Sequence, residues 1–163
     1  MASGFQDKLV PALLLDAAFA AQYAKLKKER ALSWVVLRIA DGAIRVVGTG
    51  DAAKALKDLQ AALPERQCAF IVFDHRYKSD DGMLTQSKLF YVTFIPPLAP
   101  VDEKVAYETQ KGKALSRAVP GAIEITVHDP DELKRKIYGV SGTRRKTTYQ
   151  DDLEVVDDDW MDE

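Results

Sequence analysis

The chain predicts an α+β domain in three layers (α/β/α), with a mixed central sheet of about five strands flanked by helices. Three observations lead there. Runs of β-branched and apolar residues alternate irregularly with runs whose apolar residues recur every three or four positions, unlike a regular nucleotide-binding wind. Asp41-Gly42 is a dipeptide that closes a hairpin. The prolines at 96, 97 and 100 stop an apolar strand and aim a charged helix after it.

In chain order, Leu15, Phe19, Tyr23 and Leu26 recur at near-helical spacing among alanines and predict a helix within residues 13–28. Trp34–Ile39 reads as a strand, and Asp41-Gly42 turns it into Ile44–Val47. Asp51 is the expected cap of a helix whose Ala52, Leu56, Leu59 and Leu63 share a stripe, with Pro64 as its stop. Cys68–Phe73 is expected as a buried central strand, His75–Gln86 as a solvated loop around Asp81-Gly82, and Lys88–Phe94 as the next strand. A long helix then covers about 102–119, a strand Ala122–Val127, and a last helix Asp131–Tyr138 with Asp129 or Asp131 at its start.

The long helix has an internal conflict. On an ideal wheel Lys111 falls among Tyr107, Ala114, Leu115 and Ala118, and Gly112 weakens the middle. An extra residue or bulge near Gly112 lets Tyr107 face the core before it and Leu115 after it, swinging Lys104 and Lys111 outward.

With 163 residues, 47% hydrophobic and 29% charged, one core is expected, in residues 1–140. Residues 141–163 turn polar and then acidic, with too little apolar content to order themselves. The net charge of −2 conceals a split: Asp151–Glu163 holds eight acids and no bases, which leaves +6 for the rest. A cationic domain suits an acidic protein surface, a phosphoinositide headgroup or nucleic acid, and charge does not choose among them.

Catalysis and cofactors find little support. Cys68 is the only cysteine, so an internal disulfide and a thiolate zinc site are excluded and a reducing cytosol or nucleus fits. Gly48-Thr49-Gly50 lacks the lysine and spacing of a phosphate loop, and His75 and His128 form no metal spacing. Asp74 and His75 are neighbours, but successive strand residues point to opposite faces. The greasy run Leu9–Ala21 is too short to span a bilayer and has no basic leader, so a soluble, unexported protein is expected.

Lys104-Val105-Ala106-Tyr107, then Lys111, then Ala114-Leu115-Ser116-Arg117-Ala118 resembles the central signature of the actin-depolymerising factor/cofilin family. Phe73-Asp74 with Tyr77, and Ser87-Lys88-Leu89-Phe90 through Pro96, are similar to the family's third and fourth strands, and Met1-Ala2-Ser3-Gly4 to its opening. The resemblance covers about 25–138 and implies an ADF-homology domain of gelsolin-like architecture that binds actin as a monomer, without cofactor or enzymatic activity. It also implies a cytoplasmic, cytoskeleton-associated location, with the nucleus as a second compartment.

By the same resemblance Ser3, Gly4, Lys104, Val105, Lys111 and Arg117 would contact monomeric actin, and phosphorylation of Ser3 would weaken docking. Lys88, Arg135 and Lys136 would form the filament side. Asp102 stands where the family has a base, Val105 where it has methionine, and Gln86 where the filament-side pair has its first base, which favours monomer binding over strong severing. A coactosin-like filament binder, or a glia-maturation-factor-like ligand of the actin-branching complex, is the alternative within the fold. Phosphoinositide headgroups are a second expected partner, whereas nucleic acid is not expected.

Overall fold

Asp41 and Gly42 both take left-handed backbone, φ 53° and 74°, as a tight two-residue hairpin turn requires. The turn joins β2 (Leu32–Ala40) to β3 (Ala43–Asp51), both longer than the apolar runs that predict them. The computed structural model describes residues 11–141, the side chains through residue 139. Ser3, Gly4 and the acidic segment Asp151–Glu163 lie outside the described residues.

The remaining elements are β1 (Leu14–Leu15), α1 (Ala18–Lys27), α2 (Leu56–Ala62), β4 (Ala69–Lys78), β5 (Thr85–Phe94), α3 (Val101–Gln110), α4 (Ala114–Ala118), β6 (Ile123–Val127) and α5 (Pro130–Ser141). The six strands lie in the order β1-β3-β2-β4-β5-β6, parallel at β1–β3 and β5–β6 and antiparallel between the other neighbours. The mixed sheet is as expected, with one more strand.

Side chains alternate across the sheet and divide the core into two layers. Phe70, Val72 and Tyr91 pack with Phe19 and Leu26 of α1, Tyr107 of α3 and Leu115 of α4. Ile71, Phe73, Phe90 and Val92 pack on the other face with Leu56 and Leu59 of α2 and Leu133 and Ile137 of α5. In the second layer the Trp34 ring lies across Gly50, where an added Cβ would sit 2.3 Å from a ring carbon, so only glycine fits.

Several boundaries differ from expectation for identifiable reasons. Leu14 and Leu15 are strand, because Asp16 ties this segment to β3: its amide donates to Ile44 O at 2.7 Å and its carboxylate accepts from Val46 N–H at 3.3 Å. The other carboxylate oxygen accepts from Ala18 N–H, which delays α1 to Ala18 and lowers the Asp16 pKa. Asp51 ends β3 and accepts from Ala53 N–H in a turn, while Asp58, accepting from Ala55 N–H at 2.8 Å, holds the start of α2. Asp129 caps α5 as expected, accepting from Glu132 N–H at 2.8 Å.

The solvated loop expected over His75–Gln86 is instead mostly strand. β4 and β5 pair without interruption from Ala69↔Phe94 to Lys78↔Thr85, leaving only Ser79–Leu84 as a turn. His75 is 6% exposed, among the rings of Phe73, Tyr77, Phe90 and Tyr138.

Candidate functional site: the outer face of α3

The break expected near Gly112 is present. α3 stops at Gln110, Lys111–Lys113 form a turn, and α4 restarts at Ala114. Tyr91 Oη donates to the Lys111 carbonyl at 2.7 Å, satisfying an acceptor freed where the helix is interrupted.

Three side chains fasten α3 to the molecule. Glu103 accepts from Arg38 Nη2 at 2.9 Å and from Cys68 N–H at 2.6 Å, while Arg38 Nε donates to Cys68 O at 3.0 Å. The ladder between β2 and β4 ends at Leu37↔Phe70, and the Tyr107 hydroxyl accepts the Ile39 N–H beyond it at 2.8 Å. Gln110 bonds to the backbone of Pro11 and Leu13. Burial raises the Tyr107 pKa and pushes the Cys68 thiol up to about 11, which leaves it inert.

With its inner face committed, α3 turns an apolar stripe to solvent. Val101 is 73% exposed, Val105 58%, and Leu98 in the preceding turn 55%. Residues 98, 101 and 105 follow helical i, i+3, i+7 spacing on one side of the element. Exposed valine and leucine in a row mark a contact surface more than isolated apolar residues do. Sequence reasoning named Val105 and missed Leu98 and Val101, although the i, i+4 repeat of valine was legible.

The cations expected around this face are distributed unequally. Lys104 is half-buried and Arg117, on α4, is exposed. Lys111 does not stand clear as a ridge with Lys104. It leans on β6, donating to Thr126 Oγ1 at 3.1 Å and pairing with Glu108 at 2.9 Å, because the turn carries it back over the sheet. On the filament side, Lys88 is half-buried on β5 opposite His75, and Arg135 is exposed on α5. Lys136 folds onto β6, donating to Thr126 O at 2.8 Å and pairing with Glu132 at 3.1 Å.

Asp74, 5% exposed, pairs with Arg76 at 2.9 Å and Arg30 at 3.5 Å, and Arg76 donates to Leu32 O at 2.8 Å, so this acid joins the start of β2 to β4. Burial lowers the His75 pKa to about 4, so the ring is neutral at physiological pH. Among the described residues, no group of three or more His, Cys, Asp or Glu could hold a metal ion, and no helix is long and apolar enough to cross a membrane.

Residues 13–138 match the model of the cofilin/tropomyosin-type actin-binding proteins. The chain belongs to that family. Actin binding and depolymerisation are family properties, and ADF/cofilin members are actin-binding proteins. An actin-depolymerizing factor 9 of Arabidopsis thaliana is 31% identical over 114 residues, 68% of this chain and 79% of that protein. Among solved structures, cofilin of Streptomyces griseoflavus superposes with a TM-score of 0.64 at 28% identity, over 73% of this chain and 90% of that one. The Plasmodium berghei actin depolymerization factor 2 shares the fold, with a TM-score of 0.67 at 17% identity over 80% and 96% of the two chains.

Proposed function

We propose that this protein binds monomeric actin with the outer face of α3 and promotes filament turnover. The observation that supports this most is the apolar stripe of Leu98, Val101 and Val105 on a helix whose opposite side is clamped by Glu103 and Tyr107. A rigid helix presenting a bare apolar row suits insertion into a cleft, and burying three such side chains contributes roughly 1.5–3 kcal/mol each before the costs of association. Lys104 and Arg117 at its flanks would steer approach to an acidic surface and make binding salt-sensitive.

Monomer binding is favoured over strong severing. Lys136 is engaged with Thr126 and Glu132, and Gln86 supplies no charge at the start of β5, which leaves Lys88 and Arg135 to carry the filament side. The protein is taken to act as a monomer in the cytoplasm, with phosphoinositide headgroups as competitors for its basic residues and Ser3 as a phosphorylation site. Two assays test the proposal: pelleting with filamentous actin, and nucleotide exchange on labelled monomer. At micromolar protein, slowed exchange and more actin left in the supernatant are expected. No effect in either assay contradicts it.

A further inference from the structure

Gln110 closes α3 and is 4% exposed, one of few buried polar side chains among the described residues. Its carboxamide spends both ends on one stretch of backbone: Oε1 accepts from Leu13 N–H at 3.0 Å and Nε2 donates to Pro11 O at 3.1 Å. These two groups flank Ala12, so the side chain makes the two-point contact that one residue of a neighbouring parallel strand would make. Immediately downstream, Leu14 and Leu15 pair with Ala43 and Ile44 of β3. The segment is thereby held through its backbone, by a side chain of α3 at 11–13 and by a strand at 14–15. Its own side chains add little burial, since Pro11, Ala12 and Leu14 are exposed and Leu13 and Leu15 half-buried.

The amide is not needed to hold α3 itself, which Glu103 and Tyr107 attach to β2 and to the start of β4. A glutamine buried at the end of a surface-presenting helix, with both bonds to a chain segment about a hundred residues away, costs desolvation that only those two bonds offset.

We propose that Gln110 is a positioning residue that fixes Pro11–Leu13 against the end of α3, so that the N-terminal arm and the outer face of α3 meet actin as one surface. This rests on the reading of α3 as the actin-binding helix. The reach is sufficient. α3 has ten residues and is about 15 Å long. The eight residues from Ser3 to Pro11 extend at most about 29 Å, so an arm anchored at Gln110 can pass the whole helix.

The test uses the full chain with Gly4→Cys carrying a spin label. Cys68 is buried and its thiol raised, so labelling is selective for position 4. Paramagnetic broadening of the amide signals of Val101–Gln110 is recorded without actin, and monomer affinity is measured separately. In the parent background the label is expected to broaden α3 amides. Gln110→Leu, similar in size and unable to make either bond, is expected to cut that broadening by half or more and to weaken actin binding about three- to tenfold. Gln110→Glu keeps the acceptor for Leu13 N–H and is expected to fall between them, which also serves if the leucine variant folds poorly.

Broadening that is absent in the parent, or unchanged by both substitutions, overturns the positioning role whatever happens to affinity. Lost broadening with unchanged affinity overturns the claim that arm and helix form one binding surface. A parent chain that ignores actin refutes the proposed function instead, and the broadening still decides what Gln110 does.

Discussion

Tyr107→Phe isolates one oxygen atom on which the attachment of α3 depends. Tyr107 is 1% exposed, its ring stacks obliquely on Phe70 at 4.8 Å between centroids, and its hydroxyl accepts the Ile39 N–H at 2.8 Å. Phenylalanine keeps the ring contacts and removes the acceptor. Ile39 lies two residues past the last β2–β4 pair, so β4 does not take over. An ordinary hydrogen bond contributes about 1 kcal/mol net, and a buried donor left unpaired costs about 1–3 kcal/mol. Ile39 is half-buried, which places the loss at the lower end, about 1–2 kcal/mol. For a domain of this size that is a fall of roughly 4–8 °C in melting midpoint. Urea unfolding followed by circular dichroism measures it, with an unchanged m-value expected. Actin affinity is expected within about twofold of the parent, because the hydroxyl faces the sheet. A stability loss below about 0.3 kcal/mol would show that the hydroxyl does not stand in for the missing strand.

Asp74→Asn leaves Arg76 and Arg30 without their carboxylate and is expected to cost about 2–3 kcal/mol in urea unfolding, less than a fully buried pair because both guanidinium groups reach water. His75 gives a pH dependence whose sign is fixed by its folded pKa of about 4 lying below the ordinary 6.5. Above pH 6.5 both folded and unfolded chains hold it neutral; below, the unfolded chain takes up the proton first, so stability falls towards pH 4 by about 3 kcal/mol and then levels. Urea midpoints at pH 7.5 and 4.5 should therefore lie closer together in His75→Phe than in the parent, and parallel profiles would remove the histidine from the account.

What the sequence made legible was local. Asp41-Gly42 and Asp129 act through backbone within a few residues, and the conflict between Tyr107, Lys111 and Gly112 was visible on a wheel before the break was seen. The polar-looking run after Phe73 was misread because the burial of His75 comes from Phe90 on the next strand and Tyr138 on the last helix, neither of them nearby in sequence. β1 exists only because β3 accepts it, and Leu15 kept its helical spacing while its backbone was committed elsewhere. At the candidate site, Val105 was legible as an apolar residue on a charged helix. The inward lean of Lys111 depends on Thr126 across the α4–β6 connection, and the role of Gln110 on Pro11 and Leu13, so neither has a signature in the residues around it.

The central claim is that actin is gripped by the outward side of α3 and not by charge spread over the molecule. A titration of labelled actin monomer compares the parent with Val105→Asp, on that side, and Lys57→Glu, an exposed position on α2 across the sheet. The account predicts at least about a tenfold loss for Val105→Asp, an unpaired charge carried into an apolar contact, with unchanged unfolding, and little change for Lys57→Glu. Equal binding by parent and Val105→Asp, or an equal loss in both variants, would contradict it.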